Sequence, residues 1–199
     1  MKREIQRYIT ELRDTVTVAG LNYEIWWIYK EKNSRKKYVD TMNGYTMFFQ
    51  TSIHAHFVAL LVALYRLYEK RSDTINIPGL LKLFGKNDYI SKEALNDIRK
   101  LHQEAHNLWI KVSILRNEVF GHRSIKYGVA KVFKRAGVTP NELTDLIQKT
   151  RVLLNKITHE WDRDTHAFNL EASHDTINLL DDLTKLRQLR SRKDLEATL

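Results

Sequence analysis

The chain has 199 residues, 43% of them apolar, and a formal net charge of +9 at pH 7. That length suits one domain able to bury about 70% of its unfolded-chain surface, and the apolar fraction excludes a disordered polymer. Cysteine is absent, which excludes a disulfide scaffold, a Cys-ligated zinc or iron–sulfur centre and a thiol nucleophile; it fits a reducing compartment, and a cytoplasmic location is expected.

Two prolines and seven glycines leave few turn signals, and the apolar period is helical nearly throughout. The start, Met1-Lys2-Arg3-Glu4, lacks the apolar run and cleavage site of a secretory leader. Ile5, Ile9, Leu12 and Val16 predict a helix over 2–18 that Gly20 stops or bends. A second helical piece carries Ile25 to Tyr29, and the polar run Lys30 to Lys37 reads as a connecting loop. Tyr38 to Arg71 is predicted as one long helix, bent near Gly44. Its Phe57–Tyr65 stretch is the longest strongly apolar run without charge, and nine residues fall short of the ~20 that span a bilayer. A buried central helix and no membrane association are therefore expected.

Further along, Leu80 to Phe84 predicts a short helix capped by Gly85. Ser91 has the chemistry of an N-cap for a helix reaching about Phe120, where Gly121 interrupts it. Another helical piece covers Ser124 to Arg135. Thr139 then caps, and Pro140 opens, a helix to about Asp162. A polar linker leads to a last helix, Ser173 to Arg190. No segment alternates as a strand does. The expectation is an all-α, multi-helix bundle with short connections, in one domain over residues 1–199.

The positive charge is not spread evenly. Residues 111–135 hold Lys111, Arg116, Arg123, Lys126, Lys131, Lys134 and Arg135 against Glu118 alone, so six of the nine net charges fall there, while residues 136–186 are net −4. Clustered Lys and Arg suit phosphate binding, because each contact releases counterions. Arg123, Lys126, Lys131 and Lys134 are the candidate nucleic-acid contacts, and a solvated basic helix face is the competing explanation.

Inside this segment, Arg116 and His122 stand at the helix break. On an unbroken helix six steps place them about 240° apart, and a turn at Gly121 can bring them together. Arg grips a phosphate and stabilises developing charge. His moves protons near neutral pH. With a ribose 2′-OH as nucleophile, the pair suffices for RNA cleavage without a metal. Spacing alone does not select it, since Arg99 and His106 have a similar separation. A helix-end His bonded to backbone carbonyls and an Arg paired with an acid explain the same residues.

Arg116-Asn117, four further residues and His122 resemble the signature of the HEPN superfamily (higher eukaryotes and prokaryotes nucleotide-binding). The Tyr23–Trp27, His54–Leu61 and Ile77–Leu81 segments add a likeness to its abortive-infection U-type (AbiU-like) branch. The resemblance spans most of residues 20–170 and leaves 171–199, a helix and a basic tail, outside. It implies a helical bundle that forms a homodimer with two motifs facing one cleft. It also implies metal-independent endoribonuclease activity, as a toxin or anti-phage abortive-infection effector with an antitoxin protein among its partners. Arg116 and His122 would carry catalysis, Asn117 would orient them, RNA would be the substrate, and no cofactor or metal would be needed. Because many members of the superfamily only bind, a non-catalytic nucleic-acid- or protein-binding module is the alternative it implies.

Other constellations are thinner. His102 and His106 share a helix face with metal-ligand spacing but lack a visible third ligand, and read as a solvated face. His54 and His56 point to different faces. Trp26, Trp27, Tyr29, Trp109 and Trp161 read as core rather than as platforms for bases.

Overall fold

A computed structural model describes residues 2–87, 89–121 and 125–196. These residues form eight α-helices and one π-helical turn. The helices are α1 (Lys2–Lys30), α2 (Lys32–Gly44), α3 (Thr46–Tyr68), α4 (Ile77–Asn87), α5 (Lys92–Leu115), α6 (Val129–Ala136), α7 (Pro140–Asp162) and α8 (Ser173–Glu196), with the π-helical turn Arg116–Gly121 between α5 and α6. No strand occurs among the described residues, so the protein is an all-α bundle.

Several boundaries follow from local chemistry. Ser91 Oγ accepts from Ala94 N at 3.1 Å and starts α5. Thr139 and Glu142 form a complete capping box, with Pro140 in the first turn of α7. Gly137, at φ 56°, ends α6 in the left-handed region, where a Cβ is strained. Thr139→Ala is expected to cost about 0.5–2 kcal/mol, seen as a lower thermal midpoint.

Other boundaries differ from the expectation. α1 runs straight through Gly20, which is buried. A Cβ there would lie 2.5 Å from Arg151 Nη2, so this glycine admits a close neighbour rather than ending a helix. The polar run after Lys30 is not a loop: Glu31 accepts from Asn33 N and Ser34 N, each at 2.8 Å, and α2 begins at once. The long helix is divided, not merely bent, at Tyr45. α4 continues past Gly85 to Asn87, and α5 gives way to the π-helical turn five residues before Phe120.

The chain forms two compact units. One comprises Met1–Gly20 and Val58–Leu170, the other Leu21–Phe57 and Glu171–Leu199. In the first, Ile5, Ile9, Leu12 and Val16 give α1 a fully buried stripe, and Leu60, Leu61, Leu64, Leu67 and Tyr68 do the same for α3. α5 packs chiefly on α7, with α4 and α6 also against α5. Tyr68 is fully buried and its hydroxyl meets Thr150 Oγ1 at 2.7 Å. In the second unit α2 packs on α8 around Ile28, Tyr29, Tyr38, Met42, Phe49 and Leu180. Glu24 Oε2 accepts from Ala172 N at 2.6 Å and Ser173 N at 3.2 Å, which caps the start of α8.

α3 as a whole differs from the expectation for its apolar run. It has 23 residues, and its most apolar 18-residue window has a mean hydropathy of 1.6 and is 28% buried, so it is long and apolar enough to cross a membrane by length and composition, a test that core helices also pass. Its last two turns are core, whereas Met47 and Phe48 in its first turn are 76% and 60% exposed.

Candidate active site

Arg116 opens the π-helical turn, and its backbone N–H is shared between Val112 O and Ser113 O. A π-helical turn bonds i to i+5 and so stacks the fifth residue onward over the first. Gly121 accordingly comes down on Arg116: a Cβ there would lie 2.9 Å from the Arg116 carbonyl oxygen and 3.3 Å from Nη1. Gly121 is required for this approach, not for a left-handed φ, since Gly137 is the one glycine with positive φ among the described residues.

The guanidinium of Arg116 is held from two sides. Nη1 donates to Asn117 Oδ1 at 3.0 Å, and Cζ lies 4.4 Å from the centre of the Tyr65 ring on α3. A flat cation on an aromatic face keeps its edge donors available. Tyr65 is fixed in turn, because Trp109 Nε1 donates to its carbonyl oxygen at 3.1 Å. Arg116 is half-buried and has no acidic partner among the described residues. The only acid in the basic segment, Glu118, is taken by Arg135 of α6. Pairing of Arg116 with an acid is therefore not what the described residues show.

The basic residues divide by role. Lys111 is committed to Glu142 at 2.5 Å and to the Gly137 carbonyl at 3.3 Å, which joins α5 to the start of α7. Lys111 and the Thr139 backbone hold the Glu142 carboxyl below its usual range. Arg135 and Lys131 lie over the Tyr127 ring at 5.0 and 4.8 Å. Lys126, Lys131 and Lys134 are exposed and lack an acidic partner among the described residues. His122 and Arg123 lie outside the described residues. Of the sequence-derived site, the structure brings Arg116 and Asn117 into direct contact; Tyr65 and the Arg135–Glu118 pair are additions that no sequence signal marked.

His102 and His106 do not form a solvated face. Both are half-buried in a ladder of rings between α3 and α5: Tyr68 to His102 at 5.5 Å, His102 to His106 at 5.8 Å, His106 to Trp109 at 5.0 Å and Trp109 to Tyr65 at 5.7 Å. Their Nε2 atoms are buried without a hydrogen-bond partner. No group of three His, Asp or Glu that could hold a metal occurs among the described residues.

Burial, then the neighbouring His106 and Lys70 charges, pull His102 down from 6.5 to about 4. The unfolded chain takes up that proton below pH 6.5, whereas the folded chain refuses it until about pH 4. The stability held by the neutral ring is complete above pH 6.5 and is lost as the pH falls towards 4. Solvent screening of this half-exposed ring leaves about 1–2 kcal/mol of the shift. The urea midpoint of wild type should therefore fall between pH 7 and pH 4.5 more than that of His102→Phe. Equal falls would remove His102 as the cause. His56 differs: its Nδ1 meets Asn22 Oδ1 at 2.8 Å, and burial lowers its pKa.

The described residues define an all-helical protein, and a family comparison is in keeping with that fold. The AbiU2 family model, one of the HEPN families, matches residues 2–192, and the chain belongs to that family. The match extends beyond residues 20–170, taking in the first part of α1 and most of α8. No curated protein and no solved structure matches the chain.

Proposed function

We propose that the protein is a metal-independent endoribonuclease acting as an abortive-infection effector. The observation that carries this reading is Arg116. Its guanidinium is set by Asn117 and Tyr65, has no acidic partner among the described residues, and lies against Gly121. The next residue in the chain is His122. Arg116 grips the scissile phosphate and meets the charge that develops on it. The ribose 2′-oxygen attacks phosphorus as the bond from phosphorus to the 5′-oxygen breaks. The 2′-hydroxyl proton leaves and the departing 5′-oxygen gains one, with His122 as the group that transfers protons. Products are a 2′,3′-cyclic phosphate and a 5′-hydroxyl. Lys126, Lys131, Lys134 and Arg123 hold flanking phosphates.

The same reading has two copies of the chain placing their motifs in one cleft, and a neutralising antitoxin protein as a partner. Its test is incubation with RNA in EDTA. Cleavage leaving cyclic phosphate ends is expected; cleavage that stops when EDTA is added would sink it.

The exposed lysines favour a second reading, a helical module that binds RNA without cutting it. That reading expects salt-dependent RNA binding that weakens on neutralising Lys126, Lys131 and Lys134, with no cleavage under any condition.

A further inference from the structure

A cavity of about 310 Å³ lies at the turn between α3 and α4, and neither Arg116, Asn117 nor Tyr65 lines it. Tyr8, Lys70, Arg71, Thr74, Lys82 and Lys86 line it. The charges are unbalanced. Arg71 is neutralised by Asp73, through Nε at 2.9 Å and Nη2 at 2.6 Å. Lys70, Lys82 and Lys86 have no acidic partner among the described residues. Lys82 and Lys86 are four apart on α4 and so share a face, where like charges repel. Some lysines elsewhere are paired, Lys37 with Asp181, Lys149 with Glu104 and Lys156 with Glu160.

The floor of the cavity is already built. Asn76 is 1% exposed and fully bonded: its Nδ2 donates to Arg71 O at 2.8 Å and Thr74 O at 3.1 Å, and its Oδ1 accepts from Gly79 N at 2.8 Å. The start of α4 is thus capped from within, and the cavity presents lysines rather than free helix N–H groups. Gly79 lets Tyr8 form one wall, since a Cβ would lie 3.2 Å from the Tyr8 ring and 3.3 Å from its hydroxyl.

We infer that this cavity binds a compact oligophosphate group, either inorganic or the tail of a nucleotide. Three unneutralised ammonium groups around one concavity match several negative charges on a short chain, and Lys binds phosphate as a point charge. A bound anion removes the mutual repulsion of the three lysines. The site is independent of the cleavage reading, because its test measures binding.

The 199-residue chain is titrated calorimetrically with inorganic tripolyphosphate, without divalent ions. One-to-one binding is expected, weakened about tenfold or more by Lys82→Gln with Lys86→Gln. It should be unchanged by Lys32→Gln with Lys36→Gln, an exposed pair four apart on α2 that belongs to neither basic site. ATP binding as tightly as tripolyphosphate would assign phosphate alone. A tighter grip on ATP that Tyr8→Leu removes would assign a nucleotide. No binding, an unchanged affinity in the Lys82/Lys86 variant, an equal loss in the control, or displacement by an RNA oligonucleotide without terminal phosphates would overturn the proposal.

Discussion

Replacing His122 by alanine is expected to lower RNA cleavage by about 10²–10⁴-fold, the usual share of a positioned proton-transfer group. Arg116→Lys should cost about 10²–10³-fold, the scale of losing one donor aimed at developing charge. Lysine keeps the charge but loses the planar fork and the flat face that rests 4.4 Å from the centre of the Tyr65 ring. Tyr65→Leu isolates that positioning effect. It leaves every phosphate-binding charge in place, so RNA affinity should hold while the single-turnover rate falls about tenfold. Wild-type cleavage by His122→Ala would end the catalytic reading. RNA bound but uncut by wild type and variant alike would hand the site to the binding module.

The second large effect concerns stability. Phe49 is 2% exposed and makes edge contacts with Tyr29 at 5.4 Å and Phe48 at 5.2 Å. It belongs to the cluster that also holds Tyr38 and Met42 of α2 and Leu180 of α8. Truncating a buried Phe removes its transfer energy and leaves a cavity, together about 3–5 kcal/mol. Phe49→Ala should therefore shift the urea midpoint strongly and speed hydrogen exchange along α2 and α8. The polar contacts nearby are smaller supports: Tyr38 Oη donates to Asp181 at 2.9 Å and the Thr41 and Thr184 hydroxyls meet at 2.7 Å. Unchanged exchange on α8 would show that Phe49 does not hold that helix in place.

What the sequence makes legible here is what is decided locally. Ser91, and Thr139 with Glu142, cap helices through bonds to residues at most three positions away. The α1 stripe of Ile5, Ile9, Leu12 and Val16 follows from period alone. Gly20 misleads because its reason is Arg151, more than a hundred residues on. The run after Lys30 misleads because its polarity suits an exposed helix as well as a loop, and Glu31 supplies the cap. At the site, Arg116 and Asn117 stand out as a motif. Tyr65 does not, since a ring that supports a guanidinium looks like any other aromatic in an apolar helix. The His102–His106 pair is hidden for the same reason: Trp109 stands beside it on α5, and only the packing of α3 brings the Tyr68 ring against it.

The π-helical turn has a consequence for how this chain tolerates change. Such a turn is an α-helix carrying one residue too many. Substitution within Arg116–Gly121 leaves that surplus in place, whereas deletion of Val119 would let the segment relax into the ordinary repeat. Each residue of an α-helix advances the chain by about 100°, so five ordinary steps would carry Gly121 roughly 140° round the axis from Arg116, whereas the π-helical turn keeps it above Arg116. The position of Gly121 over Arg116 thus depends on a count of residues as well as on the missing Cβ at Gly121. Insertions and deletions in this six-residue window, together with any side chain at Gly121, are the sequence variation it has least room to absorb.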